Sequence, residues 1–414
     1  MYKFMQALRF HASIPRYLTT KLLGKITPLA YYNFYSPTKL DNIPEPEILP
    51  GWVKIKPILT GICGSDINTI LLRESPLLEP LCSFPSVLGH ENVGIISEIS
   101  PEVKNIKKGD RISLDPILSC RVRGISPLCQ NCTNGDFGLC NNFDKGNISP
   151  GFDIGWCNST GGAFSSAYLA HHTQVHKVPE NVSDSNAVLI EPFTIGLHAV
   201  IRNFPEDSDI VVVVGTGVIG LMVLITLRSL GSKARIIALD TNEERGKLAV
   251  EKGGANEFIK VEKNYYNSLA KELKIREYKP ILEKKPLLVG GGADMIYECV
   301  GLPNTIEDAL RLTKTGGKLV LIGNPHRINV DWSLIWAREL QIVGSFGSCM
   351  ETYNSKNEHA FDIALRMLSN KKVDLSWMIT HRFRFPSEYK KALKYSMNKD
   401  KYHVVKAVFT FENG

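Results

Sequence analysis

Ile210-Val211-Val212-Val213-Val214-Gly215-Thr216-Gly217-Val218-Ile219-Gly220 joins an uncharged β-branched run to a glycine triplet, and its reading decides the fold of the second half of this chain. A short β-branched run closed by glycine reads as a buried strand, and the apolar stretch from about Val218 reads as a buried helix. Gly-x-Gly-x-x-Gly is weak evidence alone. Here a strand precedes it, a helix follows it, and Asp240 lies twenty residues past Gly220 at the end of the next strand. Each part has a mechanical reason. Gly215 permits a tight turn, Gly217 lets the backbone approach a pyrophosphate, and Gly220 lets helix and strand pack closely. The helix start at Val218 and Ile219 offers free N–H groups to the anion. Asp240 is expected to accept hydrogen bonds from an adenosine ribose and to repel a 2′-phosphate, which favours NAD over NADP, although Arg245 is near enough to complicate that choice. The competing reading, glycine punctuation in a non-binding domain, leaves these contextual features unexplained.

Outward from this turn the chain has two textures. After Glu191, strands at Ile210–Val214, Ile236–Leu239, Met295–Glu298 and Lys318–Ile322 alternate with helices from about Val218, from about Asn242 and through Leu312. That order predicts an α/β domain with a doubly wound parallel sheet. The charged, proline-interrupted stretch from Val261 to Leu288 is expected to be an irregular insertion, and Gly290-Gly291-Gly292 a turn. Before Glu191 the sequence holds short β-like runs broken by Pro and Gly, such as Trp52–Pro57 and Val93–Ile99, and predicts a mostly-β domain. The tail ends in a strand-like Val404–Phe411 that is expected to rejoin this domain. The division is therefore 1–192 completed by 350–414, and 193–349. No internal repeat or low-complexity tract is evident.

Size and composition fit that division. At 414 residues the chain exceeds the roughly 250–300 at which one core stops growing. With 43% hydrophobic and 22% charged residues it has the balance of an ordinary globular protein. Its net charge of +7 is scattered without a basic block, which argues for a solvated surface and against a nucleic-acid partner. Nine cysteines, an odd number with four crowded together, suit a reducing cytoplasm and metal ligation better than disulfides. The first 40 residues carry Arg9, Arg16, Lys21 and Lys25 with no acid before Asp41, loosely like a transit peptide, but Met5–Phe10 alternates like an opening strand. The uncharged stretch 210–227 is barely long enough to span a bilayer, and its glycines fit a buried strand and helix better, so no membrane partner is expected.

Three separated pieces carry metal chemistry. Cys63-Gly64-Ser65-Asp66, Gly89-His90-Glu91 and Glu191-Pro192 supply a thiolate, an imidazole and two carboxylates, a mixed set that suits a catalytic Zn²⁺. Each residue has a bland alternative: Cys63 as a small apolar residue, His90 as a core histidine, Glu191 as a helix-start acid. The combination is what points to a site. A second group, Cys129-x-x-Cys132 and Cys140, is typical of structural zinc. Cys120 is the preferred fourth ligand and Cys157 the alternative; a redox pair or plain free thiols are the competing readings. Cys82, Cys299 and Cys349 show no partner pattern. A Lewis-acid metal upstream of a dinucleotide site points to metal-assisted hydride transfer, the metal holding an alcohol as its alkoxide while the nicotinamide takes the hydride.

These motifs resemble the zinc-dependent medium-chain dehydrogenases, closest in site chemistry to the sorbitol, threonine and glucose dehydrogenases. The resemblance spans Gly61–Asp66, Val87–Gly94, Lys108–Arg111, the cysteine lobe, Glu191-Pro192, Val213–Gly220, Asp240, Tyr297–Gly301 and Gly316–Gly323. It implies a GroES-like catalytic domain, a Rossmann domain in which Gly323 also borders the cofactor, and a homodimer or homotetramer. It places Cys63, His90 and Glu91 in the catalytic zinc shell, Glu191 on the zinc directly or through its water, and Ser65 as acceptor of the alcohol proton. Three positions depart from the family pattern. Ser126 stands where a further lobe cysteine is usual, Asn68 stands where many relatives carry a relay histidine, and the segment Pro15–Pro44 is longer than usual.

The implied activity is NAD(P)-linked interconversion of a secondary alcohol, polyol, sugar or amino-alcohol with its carbonyl. A zinc-free quinone or enoyl reductase would lack the Cys63, His90 and Glu191 set. A non-catalytic zinc- and dinucleotide-binding protein would need only the Cys120–Cys140 lobe.

Overall fold

The computed structural model describes residues 3–33, 35–263, 265–325 and 327–411. The chain forms two compact units, Met1–Glu191 with Gly347–Gly414, and Pro192–Phe346.

The second unit is built on six parallel strands in the order Glu257–Lys260, Arg235–Asp240, Ile210–Val214, Ala293–Glu298, Thr313–Leu321, Gln341–Gly344. Numbered along the chain this is 3-2-1-4-5-6, the Rossmann order, whose switch point lies beside the first strand. Val211 to Val214 are all buried because helices cover both faces of a parallel sheet, which is why the run carries no polar alternation. The uncharged stretch that raised a membrane reading is this five-residue strand followed by the helix Val218–Ser229, buried from Gly220 to Leu227. Among the described residues no helix is long and apolar enough to cross a membrane.

Residues 261–288 correct the expectation of an irregular insertion. They hold the helix Tyr265–Glu272 and the strand Arg276–Tyr278, which pairs antiparallel with Leu287–Val289. Tyr265, Tyr266 and Leu269 are buried against Val212, Ile237 and Ile296 of the sheet. The helix is only eight residues long, with Asn267 and Ser268 between Tyr266 and Leu269 and with Lys271 and Glu272 at its end, so its apolar spacing is a weak sequence signal.

The first unit is mostly antiparallel sheet. Its seven-stranded sheet follows the path Ile379–Arg384, Lys406–Thr410, Trp52–Gly61, Glu91–Ile99, Arg111–Leu114, Val175–Lys177, with Tyr168–His171 also pairing to Trp52–Gly61. The C-terminal strand thus rejoins the first unit, lying between Trp52–Gly61 and Ile379–Arg384. A three-stranded sheet orders Thr38–Pro44, Phe4–Phe10 and Ser86–Val87. The core between these elements holds Leu8, Ile62, Ile67, Leu88, Phe164, Phe385 and Phe409, with the Phe164 and Phe409 rings edge to face at 5.0 Å. Of the long segment read from Pro15 to Pro44, residues 15–33 and 35–37 lie outside the strands, since Thr38 onward is strand.

Candidate active site

Strand register brings the first two sequence motifs together. Gly61, at the end of one strand, lies opposite Glu91, at the start of its antiparallel neighbour. Cys63 therefore follows one strand end and His90 precedes the other strand start, on the same edge of the sheet. Asp66 locks the two segments. In the first turn of the helix Gly64–Ile70, its Oδ2 accepts the Cys63 N–H at 2.9 Å and its Oδ1 accepts the Gly89 N–H at 3.1 Å. His90 Nδ1 lies 3.7 Å from the same Oδ1. Gly89 has φ +91° and its Cα packs on the Phe164 ring, so a side chain here would meet both a disfavoured backbone region and a ring.

The ligand atoms of Cys63, His90 and Glu91 lie within 4.8 Å of one another. His90 and Glu91 are buried and Cys63 half-buried. Glu91 has a partner that the sequence did not suggest: Lys406 Nζ contacts its carboxylate, with both side chains 3% exposed or less. Burial pulls the Lys406 pKa down, but the charges of Glu91 and Cys63 more than offset this and hold it above the usual amine range. Lys406 reaches the site because Val408 pairs with Gly61. Its only sequence signal was the strand-like tail.

Glu191 sits in the first turn of the helix Ile190–Arg202, buried and outside the 4.8 Å group. Burial pushes its carboxyl up to about 7; His90 and Lys406 pull the other way and Glu91 adds to the rise. Asp153 had no motif around it. It is buried, its Oδ1 has no hydrogen-bond partner, and burial pushes its acid well above the usual range against the pull of His90. Asp66, Glu91, Asp153 and Glu191 thus crowd one thiol and one imidazole, with Lys406 as the facing lysine. His90 Nδ1 is also buried without a partner. A mixed nitrogen, sulfur and oxygen donor set in an acid-rich surround fits a divalent cation such as zinc. Ser65 and Asn68 lie half-buried on the helix that follows Cys63.

The cysteine lobe gathers Cys120, Cys129, Cys132 and Cys140, whose sulfurs lie within 4.8 Å of one another. Cys120 and Cys140 are 3.6 Å apart, and all are free thiols. Asn142 donates from its side chain to Cys120 Sγ at 3.2 Å and from its N–H to Cys140 Sγ at 3.4 Å. Cys132 hydrogen bonding lowers Cys140 to about 5, and the same pairing raises Cys132. Cys157 is elsewhere, its thiol donating to the Ser149 carbonyl at 3.3 Å. Arg123, fully buried, holds the lobe by donating to the carbonyls of Leu118, Lys145, Ile148, Ser149 and Gly151. Four sulfurs converging in this way fit a closed tetrahedral zinc shell.

In the second unit, Gly215 has φ +88° and a Cβ on Gly220 would lie 1.8 Å from the Gly215 carbonyl oxygen. A Cβ on Gly217 would meet nothing within 4 Å, leaving open space at the N-termini of Val218 and Ile219 where a pyrophosphate fits. Gly323 follows the fifth strand and packs on the Val300–Gly301 backbone, at the same sheet end as Gly215. Asp240 is already engaged. Its Oδ2 accepts from Thr216 N–H and Oγ1, both at 2.8 Å, and its Oδ1 from Asn242 N–H and Arg245 Nη2, also at 2.8 Å. Asp240 is thus one half of a carboxylate–guanidinium pair rather than a lone carboxylate.

The chain matches two family models, "Alcohol dehydrogenase GroES-like domain" over residues 49–180 and "Zinc-binding dehydrogenase" over 218–370. It is 30% identical to L-idonate 5-dehydrogenase of Vitis vinifera, the match covering 82% of this chain and 84% of that one. It is also 30% identical to sorbitol dehydrogenase of Arabidopsis thaliana, over 82% and 83%. A crystal structure described as a short chain alcohol dehydrogenase of E. coli CFT073 with NADH shares the fold, with a TM-score of 0.72 at 24% identity over 99% of both chains.

Replacing Lys406 with Met leaves Glu91 buried without its cation, a loss on the order of 3–5 kcal/mol. In chelator-dialysed protein, Lys406→Met is expected to lower Tm by about 5 °C or more, and adding Glu91→Gln to restore part of it. Unchanged thermal unfolding would contradict the buried pair.

Proposed function

As a member of the zinc-dependent medium-chain alcohol dehydrogenase family, the chain is an NAD(P)-linked oxidoreductase, and we propose that it interconverts a neutral polyol or related secondary alcohol with its ketone. The observation that carries this reading is the Cys63, His90 and Glu91 cluster set among further buried carboxylates. Glu191 and Asp153, both held toward the neutral acid by burial, can exchange hydrogen bonds with hydroxyls adjacent to the reacting carbon, whereas a substrate carboxylate would bring further negative charge to a site that already buries four carboxyl groups. The acid-rich surround therefore favours a neutral polyol over a sugar acid.

Cys63, His90 and Glu91 would hold the catalytic zinc, with Glu191 completing the shell directly or through water. Cys120, Cys129, Cys132 and Cys140 would hold the structural one. Bound zinc would supply the Lewis acidity that brings an alcohol pKa toward neutrality, and a bound nicotinamide would supply the hydride acceptor. The other roles belong to the protein. Asp66 fixes Cys63 and His90 in one geometry, and Lys406 shares Glu91 and limits the negative charge it lends to the site. Ser65 takes the alcohol proton and passes it to solvent through water, because Asn68 has no ionisable group for that step. The N–H groups of Val218 and Ile219 would hold the pyrophosphate, and Asp240 with Arg245 would meet the ribose. NAD is the preferred cofactor, with measurable use of NADP because of Arg245.

Self-association belongs to the same reading. Gln341–Gly344 is an open edge strand, exposed along its length, and Trp332 and Trp336, at the short helical segment that precedes it in sequence, are 69% and 85% exposed. An unpaired edge with neighbouring exposed tryptophans suits pairing with a second copy.

The test is initial-rate kinetics with NAD⁺ and NADP⁺ on sorbitol, xylitol, 2,3-butanediol, threonine and idonate, with zinc content measured in parallel. A neutral polyol should be preferred over idonate. Cys63→Ser should lower kcat/KM by about 100-fold or more and remove about one zinc per chain, while Cys132→Ser should remove the other and destabilise the fold. Unchanged zinc and turnover in Cys63→Ser would refute the metal assignment. In light scattering, Trp336→Glu with Val343→Lys should shift a dimer to monomer; an unchanged mass would move the interface elsewhere.

A further inference from the structure

The strands Phe4–Phe10 and Thr38–Pro44 pair directly, Phe10 opposite Thr38. Such a hairpin needs a loop of about 2–5 residues. Residues 11–37 instead form an excursion containing the helix Ile14–Leu23 and the single turn Pro28–Tyr32. Its inner side is anchored: Thr20 and Ala30 are buried, and Tyr17, Tyr31 and Tyr32 pack on the core around Phe164 and Phe409. Its outer side is unusual. Ile14, Leu18, Leu22, Ile26 and Leu29 are 75%, 57%, 69%, 80% and 58% exposed. Spacing by four places Ile14, Leu18 and Leu22 on one helix face. A single exposed leucine needs no explanation, but a row of aliphatic side chains does. Lys21 and Lys25 are exposed among them, and no Asp or Glu occurs before Asp41.

The charge pattern selects the occupant. Packing against a second copy of the same face would set these lysines against their equivalents, with no carboxylate from the segment to answer them. An anionic bilayer surface offers an acyl boundary for the aliphatic row and phosphates for the lysines. At ten residues the helix is about 15 Å long, so it lies on a membrane and does not span one. We propose that residues 11–37 are an interfacial anchor that seats this protein on anionic lipid, with Ile14, Leu18, Leu22, Ile26 and Leu29 entering the headgroup–acyl boundary and Lys21 and Lys25 on the phosphates. The proposal does not rest on the identity of the substrate.

The experiment is co-sedimentation of the zinc-loaded full chain with large unilamellar vesicles of phosphatidylcholine, with and without about one-third phosphatidylglycerol. Binding is expected on the anionic vesicles, weakened several-fold between low and physiological salt. Leu18→Ser with Leu22→Ser and Ile26→Ser should weaken it by about tenfold or more, and Lys21→Glu with Lys25→Glu similarly. The serine variant should keep its melting temperature and zinc content because its substituted side chains are exposed, and the glutamate variant, which also gives up the hydrogen bond from Lys21 Nζ to the Tyr17 hydroxyl, should keep its zinc content. No sedimentation with anionic vesicles, or unchanged binding by both variants, would overturn the proposal. So would a concentration-dependent dimer that the serine variant abolishes, which would assign the face to self-association.

Discussion

The carboxylate of Asp66 ties together two segments that the sequence separates by more than twenty residues. It accepts the N–H of Cys63 with one oxygen and the N–H of Gly89 with the other. A thiol and an imidazole on different loops become a rigid pair through one buried acid. Removing that acid from water is costly, so the arrangement holds only because two backbone donors and the nearby imidazole compensate it. The strand register that sets Gly61 against Glu91 delivers the loops; Asp66 fixes their last few ångströms.

The same logic governs the buried charge around this pair. Four carboxyl groups crowd a low-dielectric interior, where burial holds Asp66, Asp153 and Glu191 toward the neutral acid and Lys406 pairs with Glu91. A metal cation would relieve that penalty by pairing with the ionised acids. The same crowding favours a substrate that brings hydroxyls over one that brings another anion. In the nucleotide-binding unit the corresponding device is steric. Gly220 lets the helix close on Gly215, Gly217 leaves room for a phosphate, and Asp240 spends its acceptor sites on the turn itself and on Arg245.

Much of this was legible in the residues. The doubly wound sheet followed from Val211–Val214 and the glycine triplet, because a buried parallel strand and a tight phosphate-binding turn leave a local signature. The cysteine lobe was legible from its spacing, and the structure gathers Cys120, not Cys157, with Cys129, Cys132 and Cys140. What could not be read depends on contacts distant in sequence. Lys406 reaches Glu91 across more than 300 residues, Asp153 lies in a loop with no motif, and Arg123 looks like any surface arginine until five carbonyls converge on it. The helix Tyr265–Glu272 was hidden because eight residues are too short a run for its apolar spacing to stand out. The 11–37 excursion was visible only as extra length, since exposure of its aliphatic row is a property of packing.

The central claim is that two distinct zinc environments exist in this chain, one of four thiolates and one of mixed donors. Zinc K-edge X-ray absorption on the purified protein addresses it directly. A shell combining sulfur at about 2.3 Å with nitrogen or oxygen at about 2.0–2.2 Å, reduced to sulfur alone in Cys63→Ser, is the expected result. A pure four-sulfur shell in the unaltered protein at full zinc loading would contradict it.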